Sequence, residues 1–170
     1  MKLLLAALLI LLTACAGLPF TDEARARGVL ENVGQFYRTG AVIHTGGSEM
    51  RVRIERPDPA LTRVHVLYPE RVAGLTYTFR EEGVQLELHG MTFNLDAFAV
   101  RGAPVPQMVS ALSALLLPHA ERGLPTEQGE YWLLRERENT LLLDAQGRPL
   151  KLSLSGGNVE ITLTDFVFLG

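Results

Sequence analysis

The chain's single thiol, Cys15, sits where an apolar run from Leu3 to Leu12 gives way, through Thr13 and Ala14, to the rest of the sequence. With no second cysteine it has no disulfide partner in the chain, so the chemistry open to it is modification of the sulfur. Lys2 supplies a positive charge ahead of the run. A basic start, an apolar middle of about 7–15 residues and a small-residue cleavage region make up a secretory signal peptide. The run is too short to span a bilayer comfortably, which takes roughly 20 apolar residues. The alternative is an ordinary signal peptide with an incidental cysteine.

The other reactive residue types converge on nothing. His44, His65, His89 and His119 include no i, i+4 pair of metal-ligand spacing. His65 lies between Val64 and Val66 and should point away from their face, as His89 should from Leu88. Ser110 and Ser113 fall on a predicted helix, outside any Gly-x-Ser-x-Gly turn and with no obvious base. Glu81-Glu82 invites a paired-carboxylate reading, but adjacent strand residues face opposite ways and Gly83 signals a turn. Gly46-Gly47 and Gly156-Gly157 are not followed by a lysine and a helix, as a phosphate loop requires. The expectation is a protein that is no enzyme, with no metal and no organic cofactor.

The elements that position these residues begin with a helix. Thr21 is a cap for a helix from Asp22 to about Asn32, with Ala24, Val29 and Leu30 inward. Strands are expected over 36–45, Met50–Arg56, Thr62–Tyr68, Gly74–Arg80, Val84–His89 and Met91–Leu95. In the second, Val52 and Ile54 alternate with Arg51, Arg53 and Glu55, the period of a half-buried antiparallel strand. In the third, Val64, Val66 and Tyr68 share a face, and in the fourth Leu75, Tyr77 and Phe79 do. From Pro104 or Pro106 to about Glu121 the apolar positions Met108, Val109, Ala111, Leu112, Leu115, Leu116 and Leu117 recur at three and four, an amphipathic helix that Gly123 and Pro125 stop. Strands return over Glu130–Arg137, Thr140–Leu143 and Arg148–Leu154, the last two joined by an Asp144–Gly147 turn. After Gly156-Gly157-Asn158, Val159, Ile161 and Leu163 form one more face, and Phe166 and Phe168 close the chain. Hairpins with one internal helix and one N-terminal helix indicate α+β architecture with an antiparallel sheet.

The 170 residues carry a net charge of −3, with both signs interspersed. No basic stripe suggests nucleic acid, and no polybasic segment suggests electrostatic membrane binding. Residues 1–14 are expected to be the signal peptide, 15–20 a short tether with Gly17 and Pro19, and 21–170 one domain.

Leu12-Thr13-Ala14-Cys15 resembles the lipobox of bacterial lipoproteins. That resemblance implies cleavage before Cys15, a diacylglyceryl group on its thiol, and a domain anchored on the extracytoplasmic side of the cell envelope. Ala16 and Gly17 lack the aspartate retention signal known in that family, which implies the outer membrane in a two-membrane source. Beyond the anchor, the order of elements resembles the LolA/LolB-like lipoprotein-carrier superfamily. The local echo runs from Arg56-Pro57 through Leu67-Tyr68-Pro69-Glu70 to Gly74-Leu75-Thr76-Tyr77, with Asp144-Ala145-Gln146-Gly147-Arg148-Pro149-Leu150 and Asp165-Phe166 further on. The resemblance implies a curved antiparallel sheet, a half-open barrel, wrapped around the internal helix. It also implies a cavity for acyl chains or another apolar ligand, and this chain departs in having one strong internal helix in place of a set of lid helices. A pocket under that helix would be lined by Met108, Leu112 and Leu115 with Tyr77, Phe79 and Trp132, residues that suit a plain core equally. The expected function is binding of a hydrophobic ligand or of lipoprotein acyl chains. The alternative is an envelope interaction or scaffold module, with a protein partner and a self-filled barrel.

Overall fold

Two-residue turns fold most of the chain into hairpins. Gly46-Gly47 and His89-Gly90 have positive φ at both positions, the conformation that matches the twist of paired strands. Glu81-Glu82 joins Arg80 to its register partner Gly83, so this acidic pair is an exposed turn. The computed structural model describes residues 22–96, 102–116, 123–154 and 158–169. The expected signal peptide, Cys15, the tether, the Thr21 cap, Leu117, His119 and the Gly156-Gly157 turn lie outside them.

The first helix, α1, is Asp22–Glu31, and after it come strands β1 (Tyr37–Thr45), β2 (Ser48–Asp58), β3 (Leu61–Tyr68), β4 (Thr76–Arg80), β5 (Gly83–Leu88) and β6 (Met91–Leu95). The second helix, α2, is Pro104–Leu115. Strands β7 (Thr126–Gln128), β8 (Tyr131–Glu136), β9 (Asn139–Leu143), β10 (Pro149–Ser153) and β11 (Val159–Phe168) complete the chain. They form one 11-stranded sheet in the order β6-β5-β4-β3-β2-β1-β11-β10-β9-β8-β7, and every neighbouring pair is antiparallel. Each half of the chain is a meander, and pairing of β1 with β11 joins them. The segment between the open edges β6 and β7 carries α2, so the α+β class expected from the sequence holds.

One face of the sheet and the two helices share a core. Ile43, Ile54, Val64, Leu141, Leu143, Leu152 and Ile161 from the strands are fully buried with Leu30 of α1 and Leu112 of α2. Each such side chain contributes roughly 1.5–3 kcal/mol by leaving water. Prolines at the start of α2 are tolerated because the first-turn N–H groups lack helical partners. Met108, Val109, Ala111, Leu112 and Leu115 then turn into the core at the expected spacing. The helix ends at Leu115, short of the expected Glu121. It packs on β8 and β9, and Ser113 Oγ accepts a hydrogen bond from Arg56 on β2. Arg25 ties α1 to β7 through a bidentate pair with Glu127 at 2.8 and 2.9 Å, and its guanidinium lies over the Trp132 ring.

Two expectations about faces are corrected. Tyr68 does not join Val64 and Val66. Val52 pairs with Val66 but Arg51 pairs with Tyr68, so Leu67 is the extra residue of a bulge that reverses the facing of Tyr68. Tyr68 is exposed, with Arg51 over its ring at 5.5 Å. On α1, Ala24 is exposed and Ala26 takes the inward place beside Val29 and Leu30, because Ala26 and Leu30 are four apart on one stripe.

Candidate apolar-ligand site

The register of β3 to β6 lines apolar side chains up in rows, since residues directly opposite on antiparallel strands share a face. In one row Val64 faces Tyr77, Tyr77 faces Leu86 and Leu86 faces Phe93. In the next Thr62 faces Phe79, Phe79 faces Val84 and Val84 faces Leu95. Exposure rises along the first row, from 0% at Val64 to 51% at Phe93. Met91, opposite Leu88, is 55% exposed. The apolar lining of the core face thus runs past the region that the core covers and reaches the β6 edge.

Tyr77 and Phe79 stand where covered and uncovered lining meet. Both are half-buried and packed against the core, with near-parallel rings 6.1 Å apart. Burial pushes the Tyr77 hydroxyl's pKa above the usual phenol value. Met108, Leu112 and Leu115 enter the same core from α2, and Met108 and Leu112 retain no exposure. Trp132 is also buried, on β8 near the other end of the strand order. The six residues expected to line a pocket therefore divide. Tyr77 and Phe79 are adjoining and partly open, whereas Met108, Leu112 and Leu115 are sealed within the described core, and Trp132, though buried, borders a surface cleft beside Arg25.

Arg56 brings a positive charge to the same face. Tyr37 faces Arg56 across β1 and β2 and faces Phe168 across β1 and β11. Its ring stacks on Phe166 at 5.1 Å, and Phe166 meets Phe168 edge-on. Arg56 donates to Ser113 Oγ and, from Nη2, to Pro59 O at 3.2 Å. Its Nε and the Tyr37 hydroxyl are buried with no hydrogen-bond partner. Burial drives the Tyr37 pKa up to about 12, and the nearby Arg56 guanidinium, by its charge and by its approach as a donor to the hydroxyl, opposes that rise only in part. Sequence reasoning missed this cluster. The signal was the alternation Val52, Ile54, Arg56, which puts an arginine in the inward phase of β2.

No known family model and no curated protein matches this sequence. Solved structures do. The chain is similar to a LolA superfamily protein from Nitrosomonas europaea. The TM-score is 0.41 at 8% identity, over 85% of this chain and 94% of that one. An uncharacterized conserved protein from Thermus thermophilus is similar at TM-score 0.48 and 18% identity, over 86% of each chain. Lipoprotein LppX of Mycobacterium tuberculosis is similar at TM-score 0.36 and 12% identity, over 86% of this chain and 96% of that one.

Two clefts lie elsewhere on the surface. A cleft of about 490 Å³ on the opposite face of β1, β2 and β11 is lined by Arg38, Arg51, Arg53, Glu55 and Asp165 among others. A second, of about 620 Å³, lies between Arg25, Glu127, Trp132, Asp144 and Arg148. Neither includes a residue of α2. His65, half-buried, shares a hydrogen bond of 3.0 Å with Thr76 Oγ1, and His44 and His89 are exposed. Among the described residues no three His, Cys, Asp or Glu side chains cluster as metal ligands, and no helix is long and apolar enough to cross a membrane.

Proposed function

We propose that this chain is a non-enzymatic envelope lipoprotein, anchored through acylated Cys15, that binds a hydrophobic ligand or lipoprotein acyl chains. In this reading the sheet curves as a half-open barrel around α2, and the ligand lies on the core face along β4 to β6. The observation that carries it is the continuation of the apolar rows from Val64 through Tyr77 and Leu86 to half-exposed Phe93. A contiguous exposed apolar surface of this kind marks a site for an apolar partner. Binding is driven by transfer of apolar surface out of water, at roughly 25 cal/mol per Å². The anchor reading rests on the lipobox resemblance, with two acyl chains holding the domain far more firmly than one.

Two experiments test it. Native mass spectrometry of the full chain, extracted from membranes in mild detergent, should show a co-purified lipid, and protein free of lipid in every preparation counts against the ligand. Growth with labelled palmitate should label the wild-type chain and leave Cys15→Ala unlabelled, and equal labelling removes Cys15 as the anchor. The second reading is an interaction module with a self-filled interior, favoured by the complete burial of Met108 and Leu112. It predicts the lipid-free result.

A further inference from the structure

The apolar rows begin at a charge. On β2 the pairing passes from Glu55 with Arg63 to Asp58 with Leu61, so Arg56 and Pro57 together oppose Thr62, a bulge. Thr62 is buried and faces Phe79, and the row continues through Val84 to Leu95. At about 4.8 Å between strands, Phe79 lies about 10 Å from Arg56 and Leu95 about 20 Å, the reach of a long acyl chain.

Arg56 lacks an anion. Among the described residues no carboxylate lies within ion-pair distance of it. Its described partners are the Ser113 hydroxyl and the Pro59 carbonyl, both neutral. Nε and the Tyr37 hydroxyl, on residues that face each other across β1 and β2, are sealed without a hydrogen bond of ordinary geometry, although the Arg56 guanidinium lies near enough to the hydroxyl to draw its pKa down against burial. A half-buried cation with neutral partners and two orphan donors is costly until an anion arrives. The planar guanidinium suits the paired oxygens of a carboxylate or phosphate. The Ser113 hydroxyl, now accepting, keeps its own proton to donate.

We infer that Arg56, with the Tyr37 and Ser113 hydroxyls, receives the anionic head of a single-chain amphiphile whose chain runs past half-buried Phe79, Tyr77 and Leu86 to the exposed β6 edge at Phe93. The inference rests on the apolar-ligand reading and names the ligand's class. The shared chemistry is a carboxylate or phosphate oxyanion on one long alkyl chain.

The test uses the full chain in a non-ionic detergent, photolabelled with a diazirine-bearing palmitic acid or with the matching alcohol, and the labelled peptides are identified. The acid should label β4–β6 about tenfold more strongly in wild type than in Arg56→Gln, and the alcohol should label the two alike. Acid labelling that ignores Arg56→Gln overturns the head-group site and leaves the apolar site standing. Absence of β4–β6 labelling by either probe overturns the apolar site itself. Unlabelled palmitate and hexadecyl phosphate, as competitors, separate the two sources. Displacement by either supports an oxyanion head, and displacement by neither overturns it. Emission from Trp132, the chain's only tryptophan, reports whether each variant folds. Should Arg56→Gln unfold, Tyr37→Phe decides: a several-fold loss for the acid with none for the alcohol is expected, and unchanged acid labelling overturns the proposal.

Discussion

Tyr37 and Arg56 face each other across β1 and β2, each holding a buried donor without a partner. The Tyr37 hydroxyl is raised to about 12, by burial first and against the Arg56 charge. An unfolded tyrosine ionises near pH 10. Below that pH the folded and unfolded chains hold the same proton, and the full stability is present. Between about pH 10 and 12 the unfolded chain loses its proton first, so stability falls as pH rises through the folded value. The loss should reach roughly 2–3 kcal/mol for two pKa units. Thermal unfolding across this range should show wild type falling faster than Tyr37→Phe. Parallel curves would remove Tyr37 as the cause. Near neutral pH, Tyr37→Phe should match or exceed wild type, since it removes an unsatisfied hydroxyl.

Much of the fold is legible in local pattern. Val52 and Ile54, or Ile161 and Leu163, show the period of two because one face of their strands is buried and the other meets water. What sequence conceals is non-local. Nothing near Tyr37 announces that β1 pairs with β11, and Thr126–Gln128 is too polar to read as a strand until β8 is beside it. Bulges defeat parity. The extra residue at Leu67 turned Tyr68 outward, and positive φ at Asp165 lets Phe166 and Phe168 return to the core. Of the site, Tyr77 and Phe79 were readable because aromatic residues at i and i+2 share a face. The role of Ser113 was not, because its partner Arg56 lies on a distant strand.

The turn from β9 to β10 hangs on one carboxylate. Asp144 Oδ1 accepts from the N–H groups of Gln146 and Arg148, each at 2.9 Å, and Oδ2 accepts from Arg148 Nε at 2.7 Å. Burial alone would raise its pKa, but the Arg148 and Gln146 donors outweigh burial and hold it below the usual value. Its contribution is therefore present above about pH 4, the unfolded value, and is lost as pH falls through the folded one. Asp144→Ala should cost about 1–2 kcal/mol at neutral pH, as removal of a capping side chain does. Urea unfolding at pH 7 and pH 3 should show the variants converging in acid, and a constant difference would assign the effect elsewhere.

Gly147 joins that turn to α1. A Cβ there would lie 2.6 Å from Val29 O and 3.3 Å from a Val33 methyl, at a backbone φ of +80°. Neither the helix carbonyl nor the left-handed conformation accommodates a side chain. Gly46 shares the positive φ but has nothing within 4 Å of its Cβ position. Gly147→Ala should therefore cost more than about 2 kcal/mol, and Gly46→Ala about 1. Equal losses in chemical denaturation would show that conformation alone, and not the contact with α1, sets the cost.

Leu112 and Phe93 separate core from site. Leu112 is fully buried among strands and helix, and Leu112→Ala should cost about 2–5 kcal/mol through lost transfer energy and a cavity. Phe93 is half-exposed at the β6 edge, so Phe93→Ala removes little buried area and should change stability by about 0.5 kcal/mol or less. If the rows through Tyr77 and Leu86 hold an apolar ligand, the same substitution shortens the lining where the chain's tail would lie. Photolabelling by the palmitic acid probe should then fall several-fold in Phe93→Ala while its melting temperature stays near wild type. A large drop in stability with labelling unchanged would instead make Phe93 a structural residue of the edge. That outcome would move the ligand away from β6 and back toward the covered part of the core face.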